Sequence, residues 1–225
     1  MSFLDRTELL VGKSGIEKLN KSNIILFGCG GVGGYIAEML VRSGVGSITI
    51  VDFDKVDITN INRQIIALHS TVGKSKVLVL KDRLLDINPD CKVTAVCDRY
   101  TAGSELLNEK YDYVIDAIDS VSDKVALILD ANARKYKIIS AMGAGNRCDI
   151  PTFQVVDIYK TYNDGLSKII RKKLRENGIN HHKVVFTSSL PVDHDGTTIG
   201  SVAYYPAMCG CVLAGYVIND IIKGE

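Results

Sequence analysis

Several side chains in the first half of this sequence have types and spacings that suit polyphosphate chemistry. Gly28, Gly30 and Gly33 keep a G-x-G-x-x-G spacing, in which missing side chains let the chain turn sharply, let backbone approach a phosphate and let a helix pack on the preceding strand. Alone the spacing is a weak signal, since a purely structural turn looks the same. Asp52 closes the next apolar run, where an acidic side chain meets a ribose hydroxyl in nucleotide-binding folds. Arg63 and Lys76 could both reach back to a polyphosphate. The alternative, a solvated loop and a basic helix start, is disfavoured because cations at a helix N-terminus oppose its dipole. Asp116 and Asp119 fall at the end of another apolar run; Asp119 suits Mg²⁺ beside bound phosphates, or else caps the helix beginning near Val121. Arg6, the one arginine ahead of the glycines, is either a solvated side chain or a guanidinium for clamping a triphosphate.

A second constellation lies near the C-terminus. Lys168, Arg171, Lys172 and Arg175 recur at i, i+3, i+4 and i+7, while Leu166, Ile169, Ile170 and Leu174 share another face. Such a stripe is commonly only solvated. This one is single-signed, with seven Lys or Arg against two acids from Lys160 to Lys183, and phosphate-backbone binding is the competing reading.

Positioning these groups requires strands that end where the glycines and acids begin. Ile24–Phe27 reads as a buried strand breaking into the glycine turn, and Ile36–Val41 as the helix after it. Ser47–Val51, Lys92–Cys97, Tyr111–Asp116 and Lys137–Met142 read as further strands. Helices are expected from about Lys76 to Ile87, stopped by Asn88-Pro89, around Ser104–Glu109, and from Val121. The alternation implies a mostly parallel, Rossmann-like doubly wound sheet with helices on both faces. Beyond Pro151, strands at Phe153–Ile158 and Lys183–Thr187 and helices at Gly165–Asn177 and Pro206–Lys223 form a C-terminal α/β extension. The expected organisation is a single α/β domain over 1–225, with an N-terminal helical arm at 1–21, a nucleotide-binding core at 22–150 and a sheet-completing segment at 151–225 that carries the candidate phosphate-contacting stripe.

Composition narrows the classes. With 27 Lys plus Arg against 26 Asp plus Glu the 225-residue chain is near neutral, which argues against wholesale electrostatic capture of nucleic acid or membrane. No signal-like run opens it, so the expectation is a cytoplasmic protein with free thiols. The six cysteines contain no C-x-x-C pair, so zinc-ribbon spacing is missing. Val202–Ile218 is interrupted by Pro206, Gly210 and Gly215 and falls short of the roughly 20 residues of a membrane span; it reads as a buried closing helix. The glycines and Asp52 alone would also suit an NAD-dependent oxidoreductase, which has no need of Arg63, Lys76 or Asp119.

Taken together, Gly28-x-Gly30-Gly31-Val32-Gly33, Asp52-Phe53-Asp54, Thr59-Asn60-x-Asn62-Arg63-Gln64, Lys76 and Asp116-x-x-Asp119 resemble the ubiquitin-activating-type, ThiF-like adenylating superfamily. Asn62–Ser70, Ser140–Arg147 and Asp157–Thr161 further resemble the tRNA threonylcarbamoyladenosine dehydratases. The resemblance implies adenylation, with ATP and Mg²⁺, of the carboxylate of threonylcarbamoyladenosine in tRNA, followed by cyclisation with net loss of water. It implies Gly28, Gly30, Gly31, Gly33, Asp52, Asp54, Asn60, Arg63, Lys76 and Asp116 at the nucleotide, and Arg63, Lys76, Asp119 and Arg6 in catalysis with the metal on Asp119. A homodimer is implied too, in which an N-terminal arginine, here Arg6, reaches the other subunit's nucleotide. The alternative is an adenylating enzyme for a ubiquitin-like sulfur-carrier protein, with a sulfur-relay partner and Cys148 as the best-placed thiol. Relatives of that kind usually carry two C-x-x-C zinc pairs that this chain lacks.

Overall fold

The computed structural model describes residues 2–193 and 196–224. Seven strands, β1 (Asn23–Phe27), β2 (Ser47–Val51), β3 (Lys92–Val96), β4 (Tyr113–Asp116), β5 (Ile138–Ala141), β6 (Phe153–Asp157) and β7 (Lys183–Thr187), form one sheet in the order β3-β2-β1-β4-β5-β7-β6. All neighbours pair parallel except β6, which runs antiparallel to β7. One sheet therefore takes strands from both the nucleotide-binding stretch and the C-terminal extension. Strand order reverses between β1 and β4, and at such a switch point the loops after two neighbouring strands part and leave a crevice.

Alternating side chains explain why the strands are buried on both faces. Ile24, Leu26, Ile48, Ile50 and Ile115 join one core cluster, while Ile25, Phe27, Val51 and Val114 join the cluster on the opposite side. The first face is covered by α1 (Asp5–Lys21), α2 (Gly33–Arg42), α3 (Lys76–Ile87) and α6 (Tyr204–Lys223), the second by α4 (Val121–Ala133) and α5 (Gly165–Glu176). Although α6 is long and apolar enough to cross a membrane, Cys209, Leu213, Ala214 and Val217 on it lie in the core.

The expected N-terminal helical arm forms, and one local expectation, a helix around Ser104–Glu109, changes. The N-terminal arm is one helix broken at Gly12, whose φ of 71° and ψ of 168° leave the helical region, a conformation that glycine adopts without a Cβ clash. The segment around Ser104–Glu109 forms only the short 3-10 turn Glu105–Leu107, capped by Ser104.

Candidate active site

The glycine turn occupies the crevice between β1 and β4. Gly28 sits at φ +91°, and a Cβ there would meet the Ala117 carbonyl oxygen at 2.6 Å. A Cβ on Gly33 would fall 1.8 Å from the Gly28 carbonyl oxygen, so α2 can start this close to β1 only from glycine. The roles of Gly30 and Gly31 differ. Both line a cavity of about 430 Å³, and at Gly30 the nearest atom to an added Cβ would be 3.7 Å away. The missing side chain leaves open volume, as backbone approach to a phosphate requires.

Asp52, Asp54, Arg63, Lys76 and Asp119 line the same cavity. Asp52 accepts hydrogen bonds from the Cys29 N–H at 2.7 Å and the Asp54 N–H at 2.8 Å, which locks the acid against the glycine turn. Lys76 opens α3 and is buried, and its Nζ lies 2.7 Å from Asp54 Oδ2. Asp54 is thus the anion that compensates a cation at a helix start. The Arg63 Nη1 donates to the Thr59 carbonyl and to Asn62 Oδ1, each at 2.9 Å. Asp119 is exposed and has no hydrogen-bond or ion-pair partner among the described residues; the α4 cap position belongs to Ser120.

Other expected residues do different work. Asp116 does not line the cavity: it is fully buried, pairs with Lys124 Nζ at 2.7 Å and accepts from the Ile118 N–H at 3.0 Å. Its place at a strand end suggested a ligand, but burial commits it to the turn beneath Asp119. Asn60 is likewise outside the lining. Its Oδ1 accepts from the Asp57 N–H at 3.1 Å in a reciprocal capping box, and its carbonyl accepts from the Arg63 and Gln64 N–H groups at 3.0 and 2.9 Å, so it shapes the turn that aims Arg63. Gly33 supports the site through packing. Arg6 is exposed on α1 and does not line its own chain's cavity. Cys148 is exposed and outside the lining, while Cys29 is buried, and burial pushes its thiol up well above the usual range.

Residues outside the expected site set complete the walls. Arg99 lies 5.6 Å over the Phe53 ring and 2.7 Å from Asp123. Burial works against the charge on Asp123, yet hydrogen bonds from Arg99 and Ser122 hold its carboxyl below the usual range. Gln64 is buried, and its Oε1 is the one buried side-chain polar atom without a partner among the described residues, on the cavity wall. A desolvated acceptor of that kind costs about 1–3 kcal/mol unless something binds it.

Away from the cavity, the basic face of α5 is only partly free. Lys168, Lys172 and Arg175 are exposed, with Arg175 5.3 Å over the Tyr159 ring. Arg171 is not available as expected: its Nη1 donates to the Thr161 carbonyl and Oγ1, each at 2.7 Å, tying α5 to the preceding turn. Lys173 is exposed beside them.

Residues 4–224 match the model of the ThiF family. The chain is 41% identical to the tRNA threonylcarbamoyladenosine dehydratase of Bacillus subtilis, over 97% of this chain and 94% of that protein. It is 40% identical to the enzyme of that name from Escherichia coli, over 76% of this chain and 65% of that one. Among solved structures, the Escherichia coli tRNA N6-threonylcarbamoyladenosine dehydratase in complex with ATP superimposes with a TM-score of 0.92 at 34% identity, covering 97% of this chain and 93% of that chain.

Proposed function

Because the chain belongs to the ThiF family, we propose that it is an ATP-dependent tRNA threonylcarbamoyladenosine dehydratase, which adenylates the modified nucleoside's carboxylate and promotes its cyclisation. One observation carries this reading: Arg63, Lys76, Asp54, Asp119 and the orphaned Gln64 Oε1 converge on one glycine-floored cavity. Hydride transfer to a nicotinamide has no use for that set of charges.

The chain's residues have separable tasks. Asp52 holds a ribose, while Gly30 and Gly31 leave room for phosphates against the β1–α2 turn. Arg63 and Lys76 set positive charge where negative charge gathers as a carboxylate approaches the α-phosphate. No general base is needed, since a carboxylate is already ionised at neutral pH. Mg²⁺ fits Asp119, a carboxylate on the cavity wall without a partner among the described residues, because Mg²⁺ is commonly held by one or two carboxylates plus substrate phosphates. When bound, ATP supplies the adenylyl group and Mg²⁺ shields its phosphates.

The exposed face of α1 supports a homodimer. Leu9 and Leu10 are 86% and 89% exposed, and a second copy covering them would also meet Arg6, exposed one turn earlier on the same helix and the residue proposed for its partner's nucleotide. The exposed cations of α5 take up tRNA phosphates, and a tRNA substrate is in keeping with a cytoplasmic enzyme. Nucleotide titration tests the reading: saturable ATP binding that Lys76→Ala weakens is expected, and tight NAD binding without affinity for ATP and Mg²⁺ would contradict it.

A further inference from the structure

The cavity has two chemically different sides, and the fold explains why. The loops after β2 and β3 contribute Asp52, Phe53 and Arg99, whereas the loop after β5 and the start of α5 contribute Met142, Ala144 and Leu166. Along the order β2-β1-β4-β5 these sides are three strand spacings apart, about 14 Å. With the ribose acid on the first side, the second remains for the other reactant.

That second side is apolar and held in place. Met142 is buried, Leu166 half-buried, and Ile199 and Pro206 complete the wall. Its loop is already satisfied at most polar positions: the Gly143 N–H donates to Asp164 at 3.0 Å, and the Gly143 and Gly145 carbonyls accept from Arg147 Nη1 at 3.0 and 3.2 Å. Arg147 is buried and also donates to the carbonyls of Ser189 and Asn163, both at 3.0 Å, stapling three segments together. Asn146 joins the facing segment by donating its N–H to the Gly200 carbonyl at 2.8 Å, and the Ile199 side chain fills the space where a Gly145 Cβ would be. Between Gly143 and Asn146, the N–H groups of Ala144 and Gly145 meet no acceptor among the described residues.

Leu166, in the first turn of α5, lines this wall, and the exposed cations Lys168, Lys172 and Arg175 follow on the same helix. At 1.5 Å per residue, Leu166 to Arg175 spans about 14 Å, so one rigid element connects a phosphate-binding face to an apolar slot. Enzymes that act on a base within structured nucleic acid take it out of the stack and hold it between apolar side chains.

Resting on the functional reading above, we infer that the β5–α5 side of the cavity is a nucleoside subsite: it receives an everted adenosine, gripped by Leu166 and Ile199, while the cations of α5 hold the flanking phosphates. The free N–H groups of Ala144 and Gly145 meet the polar edge of the base or its carbamoyl substituent.

The test uses an anticodon stem-loop RNA carrying threonylcarbamoyladenosine, with 2-aminopurine beside it. Wild-type enzyme should brighten the 2-aminopurine on binding, as its neighbour leaves the stack, and should dehydrate the nucleoside. Ile199→Trp fills the subsite at an exposed position. It should bind ATP within about twofold of wild type and hold the RNA nearly as well, because phosphates dominate affinity; turnover should fall by about tenfold or more and the brightening should vanish. Leu166→Ala should raise KM for the RNA and leave the ATP affinity unchanged. Normal turnover with normal brightening in Ile199→Trp would overturn the subsite and leave the functional reading standing. No loss of water with wild-type enzyme would overturn that reading, and the subsite with it.

Discussion

Replacing Lys124 with methionine should be among the most damaging single changes in this protein that do not touch the cavity. Lys124 and Asp116 are both fully buried, with Nζ 2.7 Å from Oδ2, and Nζ also donates to the Ala141 carbonyl at 3.0 Å. Methionine keeps the length and the apolar stem but leaves the carboxylate without its partner in a site no water reaches. Breaking a buried pair from one side costs about 3–5 kcal/mol, a large share of the about 5–15 kcal/mol by which a domain is stable. Urea unfolding followed by far-UV circular dichroism should show the midpoint dropping with an unchanged slope. Removing both charges in Lys124→Met with Asp116→Leu should recover much of the loss, since an apolar replacement of a buried pair is often close to neutral. The pair sits under the turn that carries Asp119, so the single variant should also bind ATP more weakly at a urea concentration where it is still folded. A loss below about 1 kcal/mol in the single variant, or a double variant that simply adds the two single losses, would refute this account of the pair.

Three further outcomes follow from the geometry. Gly33→Ala should fail to fold, or lose about 3 kcal/mol or more, because its Cβ would fall 1.8 Å from a backbone oxygen; Gly30→Ala, with its nearest neighbour at 3.7 Å, should melt like wild type yet bind ATP more weakly in calorimetric titration. On α5, Lys172→Glu should change stability by no more than about 0.5 kcal/mol and make tRNA binding shallower in its salt dependence, whereas Arg171→Glu should lower the melting temperature by removing the bonds to Thr161. His182 is buried against Ser140 Oγ at 2.8 Å, and burial with the nearby Lys124 charge lowers its pKa to about 3. Between about pH 6.5 and that value the unfolded chain binds the proton and the folded one does not, so stability should fall on acidification by up to about 1.4 kcal/mol per pH unit. His182→Gln should flatten that limb of a pH series of urea midpoints.

Much of the architecture was legible because it rests on local signals. The apolar runs at Ile24–Phe27 and Ser47–Val51, the glycines between strand and helix and the acid at Asp52 each carry their meaning within a few residues. What remained hidden depends on which atoms meet in three dimensions. Asp116 and Asp119 look alike as strand-end acids, and only burial separates the structural one from the free one. Even so, a signal existed: Lys124 shares the i, i+3, i+4, i+7 face of α4 with Leu127, Ile128 and Ala131, and a lysine on a buried stripe calls for an acid. Arg171 lies next to the buried Ile170 and turns back to Thr161, which a count of charges cannot reveal. Arg99 meets Phe53 only because β2 and β3 are neighbours in the sheet, so no spacing in the sequence marks the pair.

Activation of a tRNA carboxylate by the charged cavity can be followed by weighing nucleosides. The protein is incubated with ATP, Mg²⁺ and tRNA carrying threonylcarbamoyladenosine, and the tRNA is then digested and analysed by mass spectrometry. The modified nucleoside should lose the mass of one water, AMP should accumulate with it, and both should fail together in Lys76→Ala. A nucleoside of unchanged mass, recovered from enzyme that binds ATP saturably, would contradict that activation.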